Sequence, residues 1–407
     1  MFKENTKTCF LLPLCLFKLG FFSVAAGISV GAVCAVFLSA LDIARSFVSS
    51  AAIAREALLF PALIFTFYFL RRFAPLAANK AADAPGFNVG PDDLKTLPAK
   101  LAAAVVTISA GGSAGRAGPC AHAGACLMYG VSKMLGVGEA DTRRLVVCGV
   151  SAGFSSAFGC PLAGALFGIE VMKLDMASCG VLFPSFVSGA IACHTASAMG
   201  ASAIPGASLA LPGMTFAGMA WAAAAGIFFG LISRLHIKIF QVLTSKLGSL
   251  KVRGIFKPLI GASVLAVLAG IFGDGFLGLG METIEGIING ANAQPLLFAL
   301  KSAATAVTLS CGGYGGIVMP TIFTGAAAGS LFASLTGLDA AFCGALGMAG
   351  VLAGSANAPV AAAMLAIELF GSRISPFAGI VCAASYLVAY GESIYSGRTL
   401  ESAAAEK

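Results

Sequence analysis

The 407-residue sequence has little charge: Asp, Glu, Lys and Arg make up 11% of it, whereas 58% of its residues are hydrophobic. Soluble domains carry about 25% charged residues, so this composition excludes an ordinary soluble protein. The stretches 145–169, 176–233, 302–338 and 340–367 contain no Asp, Glu, Lys or Arg. A helix needs about 20 apolar residues to cross a bilayer, so the chain has room for roughly ten or more crossings.

Residues that build metal centres and catalytic sites are also scarce. The sequence has 3 His, and its 12 Cys form no CxxC pair or zinc-like Cys/His spacing. Cys120 and His122 are two residues apart and would not face each other on a helix, which disfavours a Cys/His hydrolase. We therefore predict neither an enzyme nor a resident metal or cofactor, and interpret the cysteines as small buried apolar residues.

The net charge of +7 does not indicate nucleic acid binding, because the basic residues stand at the ends of apolar runs. They occur at 71–72, at 143–144 and as a series within 234–257. This distribution is typical of cytoplasmic flanks of membrane spans, and predicts a multi-pass protein of the cell inner (plasma) membrane. The first 20 residues do not resemble a cleaved signal peptide, and the apolar run from about Leu19 is predicted to remain as a span.

Two halves of the chain share one pattern. The segment CGVSAGFSSAFGCPLAGALFGIEV (148–171) aligns with LGMAGVLAGSANAPVAAAMLAIEL (346–369) at an offset of 198 residues. Upstream, the glycine-rich turn GGSAGRAGPCAHAG (111–124) aligns with GGYGGIVMPTIFTG (312–325) at an offset of 201. Two linked matches of this order indicate a tandem duplication.

We therefore predict a single transmembrane domain over residues 1–407, with a first repeat at about 18–200 and a second at about 205–397. Transporters built from repeats place broken, Gly- and Pro-containing helices at matching positions of the two halves. Irregular backbone at membrane depth is tolerated only where protein or an aqueous cavity surrounds it. The two glycine turns are therefore expected to meet and to line one site.

A helix start has unpaired N–H groups and a partial positive charge, and glycine lets a ligand approach that backbone closely. Two converging helix starts predict a site for a small anion, which partial charges would hold weakly enough to release. The alternative interpretation is that these glycines only permit close helix packing.

The same residues resemble motifs of the CLC family of chloride channels and proton/halide antiporters. GSAGRAGP (112–119) resembles the family's G-K/R-E-G-P motif, and GGIVMP (315–320) resembles its G-x-F-x-P motif. SAFGCPLAGALFGIEV (156–171) is similar to the helix that follows the first motif, and GESIYSG (391–397) to the segment with the pore tyrosine. The likeness is to short prokaryotic members without cytoplasmic CBS domains. It implies an all-α integral membrane fold, an inverted-repeat bundle of many tilted and broken helices, and a homodimer with one anion pathway in each subunit.

The resemblance also implies a central anion position. There the backbone N–H groups of Ile317 and Val318 and the hydroxyl of Tyr395 would hold the ion. The family's serine near the cytoplasmic mouth has no clean match in this sequence. Asn88, whose amide can donate a hydrogen bond, is the candidate for that role.

An outer anion position is implied by the two motifs together. Its members are backbone groups around Arg116, Ala117 and Gly118, with Val318 and Met319. Arg116 could act through its charge or only through its backbone, and the sequence leaves both possibilities open.

Two departures from the family pattern bear on function. The gating glutamate falls on Ala117 and the inner proton-accepting glutamate falls on Val171. A proton path through low dielectric needs groups that can ionise, and neither side chain can. The sequence therefore predicts passive, channel-like conduction of chloride or a similar halide, with a proton-coupled chloride or fluoride antiporter as the alternative. Glu170 and Glu368 are interpreted either as a substitute proton relay or as carboxylates that accept backbone N–H bonds.

Overall fold

The computed structural model describes residues 4–50, 55–75, 89–173, 179–201, 209, 213, 215–250, 252 and 254–395. Within these ranges the chain forms fifteen α-helices and no β-strand, which confirms the predicted all-α fold. In chain order the helices are α1 (Glu4–Ser50), α2 (Arg55–Phe73), α3 (Pro91–Ser109), α4 (Ala117–Met134), α5 (Glu139–Phe158), α6 (Pro161–Val171), α7 (Cys179–Ala198), α8 (Phe216–Gly248), α9 (Phe256–Phe272), α10 (Met281–Ile288), α11 (Leu297–Ser310), α12 (Val318–Thr336), α13 (Ala340–Ala356), α14 (Pro359–Phe370) and α15 (Ser375–Ala389).

Long apolar helices and short ones alternate along the chain. Five described segments are long and apolar enough to cross a membrane, namely Phe22–Ser50, Gly180–Ala198, Phe216–Gly248, Val318–Thr336 and Ser372–Ala389. By contrast, α6 has 11 residues and α14 has 12. Because a full crossing takes about 20 residues, these apolar helices are too short to cross alone and must begin or end inside the membrane.

The two halves of the chain pack in the same way. Helix α4 lies against α5 as α12 lies against α13, and α1 lies against α7 as α8 lies against α15. Likewise α5 contacts α7, and α13 contacts α15. This shared packing fits the duplication read from the sequence, and the repeat boundaries near 200 and 205 stay a prediction.

Close glycine contacts hold the two central hairpins together. In the α4–α5 hairpin, a Cβ added at Gly149 would overlap the carbonyl of Gly124, and in the α12–α13 hairpin a Cβ at Gly347 would overlap the carbonyl of Gly325. Backbones can approach this closely only where side chains are absent, which is how helices pack tightly in membranes. The glycines at these four positions therefore fix the spacing of both hairpins.

We expect Gly149→Ala to lower the free energy of unfolding by about 1–3 kcal/mol, because the new methyl group would force the hairpin apart. Gly379→Ala, on α15, is the matched control, since nothing lies within 4 Å of a Cβ at that glycine. The control should unfold like the unmodified protein or at slightly higher denaturant, because alanine favours helix. Unfolding of the purified protein in detergent measures both variants, and equal losses in the two would contradict the packing argument.

Candidate functional site

The two glycine-rich turns meet, as expected from their matched positions. The amide of Gly115 donates to the carbonyl of Gly316 at 2.7 Å, and the amide of Gly316 donates to the carbonyl of Gly115 at 2.8 Å. These two bonds form an isolated antiparallel bridge. A Cβ at Gly118 would lie 2.5 Å from the Cα of Gly316, so the approach requires glycine. The first turns of α4 and α12 are thereby held side by side.

Two threonines fix each turn to the opposite half of the chain. The hydroxyl of Thr107 accepts a bond from the amide of Tyr314, and that of Thr308 accepts one from the amide of Ser113, both at 3.1 Å. Sequence analysis missed this frame, although the signal is present. The strings VTISAGGS and VTLSCGGY contain the two threonines at the same offset of 201 residues as the turns.

The starts of α4 and α12 offer free backbone donors. Ala117 and Gly118 begin α4, Val318 and Met319 begin α12, and a proline occupies the third position of each helix. No side chain caps either start. The N–H groups of the first helical residues have no partner one turn back, so they point out of the helix with the positive end of its dipole.

Of the predicted anion-site residues on these two helix starts, Gly118 is partly buried and the others are buried. Ala117 and Met319 are fully buried, and Ile317, which precedes α12, and Val318, its first residue, are at most 2% exposed. The side chain of Arg116 is also buried, at 4% exposure, and its Nε atom has no hydrogen-bond partner. The donors therefore face a protein interior, where partial charges act more strongly than in water.

Tyr395, the side chain predicted at the central anion position, packs between α6 and the end of α13. The ring of Tyr395 packs edge-on against Phe167 of α6, with ring centroids 6.5 Å apart. The amide of the preceding Ile394 donates to the carbonyl of Ser355 near the end of α13, at 2.9 Å. Asn88 lies outside the described residues.

Ala117 and Val171 stand where the resemblance places the family's two glutamates, and the structure puts each at the end of a helix. Ala117 is the first residue of α4 and Val171 is the last residue of α6. Neither an alanine methyl group nor a valine isopropyl group can bind a proton. The start of α4 therefore has no side-chain carboxylate at position 117 to compete with an anion.

Glu170 and Glu368 cap helix starts in the opposite half of the chain. Glu170, at the end of α6, accepts the amides of Val360 and Ala361 at 3.1 and 2.8 Å. Glu368, at the end of α14, accepts the amides of Leu162 and Ala163 at 3.0 and 2.8 Å. The interpretation of these acids as acceptors of backbone N–H bonds is confirmed. Because each helix ends where the other begins, α6 and α14 lie antiparallel, as an inverted repeat requires.

His122 faces α3 rather than the cysteine beside it in sequence. Its Nε2 atom lies 3.1 Å from the Nζ of Lys100 and 3.5 Å from the Sγ of Cys126. Lys100 also contacts Asp93 at 2.6 Å. Across the described part of the chain, no group of three or more His, Cys, Asp and Glu side chains could hold a metal ion.

The fold and the site together define a multi-pass membrane protein with two converging broken helices. Residues 63–390 match the family model described as voltage gated chloride channel. The chain therefore belongs to the voltage gated chloride channel (CLC) family, a family of channels and transporters.

Similar proteins agree with this assignment. A chloride/fluoride channel protein of Pseudomonas syringae pv. tomato is 35% identical over 316 residues, which cover 74% of this chain and 68% of that protein. The crystal structure of a CLC-type fluoride/proton antiporter has a TM-score of 0.84 at 24% identity and covers 94% of this chain and 97% of its own. A slow cyanobacterial Cl⁻/H⁺ antiporter has a TM-score of 0.80 at 20% identity, with 96% and 98% covered. The two solved structures confirm the fold.

Glu170→Gln and Glu368→Gln should each lower the free energy of unfolding by about 1–3 kcal/mol. A glutamine keeps one acceptor oxygen and turns an NH₂ group toward the second backbone N–H, which leaves that donor unsatisfied. Glu392→Gln is the matched control, because its ion pair with Arg234 is half-exposed and such pairs contribute about 0–1 kcal/mol. Denaturant unfolding in detergent measures the three variants. Unchanged stability in the first two would contradict a capping role.

Proposed function

We propose that this protein passes small monovalent anions, chloride or a similar halide, through the membrane by passive, channel-like conduction. The observation that supports the proposal is the meeting of two uncapped helix starts, with no side-chain carboxylate at their tips. Membership of the voltage gated chloride channel family gives independent support. The proposed membrane is the plasma membrane, with the basic flanks on the cytoplasmic side.

The helix starts explain how an anion could bind and still leave. Backbone N–H groups of Ala117, Gly118, Val318 and Met319 supply partial charges rather than a full one. Such a site exchanges an ion faster than a lysine ammonium in direct contact would, because the attraction is weaker. Burial of the surrounding side chains keeps competing water away, so several weak donors are enough.

The alternative is proton-coupled exchange of chloride or fluoride. It requires a group that takes up protons near the anion, and positions 117 and 171 provide none. Both carboxylate oxygens of Glu170 and of Glu368 already accept backbone amides. A carboxylate in that role loses its bonds on protonation, which makes a relay there costly.

A homodimer is the proposed assembly. The starts of the short helices α6 and α14 expose Leu162 and Val360, at 41% and 44%. The carboxylates of Glu368 and Glu170 lie at these starts, and a charged group is costly beside lipid. A second copy of the chain placed against this face would cover them, and light scattering of the detergent-solubilised protein tests the assembly.

Flux from liposomes tests passive conduction directly. Vesicles containing the purified protein are loaded with chloride at equal pH on both sides, and chloride release and external pH are recorded together after potassium is clamped with valinomycin. Release without proton movement at a fixed ratio supports the proposal. Proton uptake driven by a chloride gradient at constant stoichiometry would establish the coupled alternative instead, and no release of any halide would refute anion transport.

Ala117→Glu should lower chloride release at pH 7 by at least about tenfold. The new carboxylate, at the first position of α4, can accept the same N–H groups as the anion and would compete with it. Protonation neutralises that carboxylate, so release should recover as the pH falls through its titration. Ala117→Gln is the control, because it adds similar bulk without charge. Equal block at pH 7 and pH 4 would attribute the effect to bulk alone.

A further inference from the structure

Two polar side chains at the end of α13 each have a buried atom without a hydrogen-bond partner. The hydroxyl of Ser355 is fully buried and has no hydrogen-bond partner. The amide oxygen of Asn357, the residue that follows α13, is also buried without a partner. Buried polar groups are costly to leave unpaired, so two in three residues indicate a partner from outside the chain.

The hydroxyl of Ser355 does not make the bond that buried helical serines ordinarily make. Buried serines in these helices donate to the carbonyl four residues earlier, as Ser156 does to Ala152 at 2.9 Å. For Ser355 that carbonyl belongs to Val351, which lies 3.2 Å from the hydroxyl of Ser233, although that hydroxyl has a shorter bond of 2.8 Å to the carbonyl of Phe229. The Ser355 hydroxyl has no partner among the described residues, so its proton is available to a ligand.

Asn357 adopts a backbone conformation that favours glycine. Its φ is 54°, and it ends α13 as a left-handed residue. The corresponding residue of the first half, at the offset of 198, is Gly159, with φ of 77°. The same left-handed turn is thus made by Gly159 in the first half and by Asn357 in the second. Asparagine is, after glycine, the residue that most often makes this left-handed cap, so the turn can be kept while the position carries a side-chain amide.

The register of the α12–α13 hairpin puts the end of α13 near the start of α12. In this hairpin Gly329 contacts Cys343 and Gly325 contacts Gly347, so the paired residue numbers add to a constant value. The same register places Ser355 opposite Ile317, the residue that precedes α12, and Asn357 two residues further along. Ser355 and Asn357 therefore belong to the end of the hairpin where the N–H groups proposed to hold the anion also lie.

The segment that contains Tyr395 is bonded to the end of α13. The amide of Ile394, adjacent to Tyr395, donates to the carbonyl of Ser355 at 2.9 Å. The carbonyl of Ala353 accepts the amides of Asn357 and Ala358. These carbonyls carry the partial negative charge of the C-terminal end of α13. Because they accept hydrogen bonds, that charge is partly neutralised and repels an anion less.

We propose that the Ser355 hydroxyl and the Asn357 amide are side-chain ligands of the transported anion at the start of α12. A rotation of the amide group places its NH₂ where the unpaired oxygen now lies, so both residues can donate. The donors are neutral, which suits a monovalent anion, because a divalent one would need compensating positive charge. This inference rests on the proposed function and names ligands for its central site.

Calorimetric titration of the detergent-solubilised protein with KCl and with KF, in a background of potassium isethionate, tests the assignment. Asn357→Gly removes the amide and leaves the residue that the first half already uses in this turn. Ser355→Ala removes the hydroxyl within a helix. Each variant should bind the anion about three- to tenfold more weakly, which is the effect of losing one hydrogen bond. Ser132→Ala, whose buried hydroxyl bonds the carbonyl of Tyr129 near the far end of α4, should bind like the unmodified protein.

Affinities within twofold of the unmodified protein in both variants would overturn the assignment while leaving the proposed function intact. No measurable anion binding by the unmodified protein would refute both. Thermal unfolding of each variant is recorded in parallel. Asn357→Gly should be at least as stable as the unmodified protein, so weaker binding in it cannot be ascribed to unfolding. If that variant failed to fold, Ser355→Ala with retained stability would decide the question.

Discussion

A helix that begins inside a membrane exposes backbone N–H groups that lipid cannot satisfy. This constraint applies to α4 and α12, whose starts are buried, and to the short helices α6 and α14. Two of these starts, on α6 and α14, are closed by the carboxylates of Glu368 and Glu170. The starts of α4 and α12 have no such cap and meet at the Gly115–Gly316 bridge. The fold thus has one pair of neutralised helix starts and one pair left open to a ligand.

Each closing interaction joins the two halves of the chain. The carboxylate caps, the Gly115–Gly316 bridge and the threonine bonds to the opposite turn all link residues about 190 to 207 positions apart. Neither half completes its own helix starts. These bonds join the two halves, and an anion between the open starts would have contacts with both.

Much of the fold and part of the site could be predicted from residues. The scarcity of charge predicted membrane spans, and the two aligned glycine turns predicted that two helix starts meet, because small residues at matching positions of repeats allow such contact. The functions of Thr107 and Thr308 were missed, although their offset equals that of the turns. Glu170 and Glu368 could be read from sequence in two ways, since the spacing of an acid along one helix does not reveal which distant amide it reaches.

The sequence by itself determined the features of this protein that depend on neighbouring residues only. Hydropathy set the membrane environment, and glycine and proline set where helices begin, because these properties act within a few residues. Only the tertiary structure decided which helix start each carboxylate closes and which polar groups, such as those of Ser355 and Asn357, are left without a partner. Those outcomes depend on contacts between segments far apart in the chain, and a hydrogen bond is made or lost within a few tenths of an ångström.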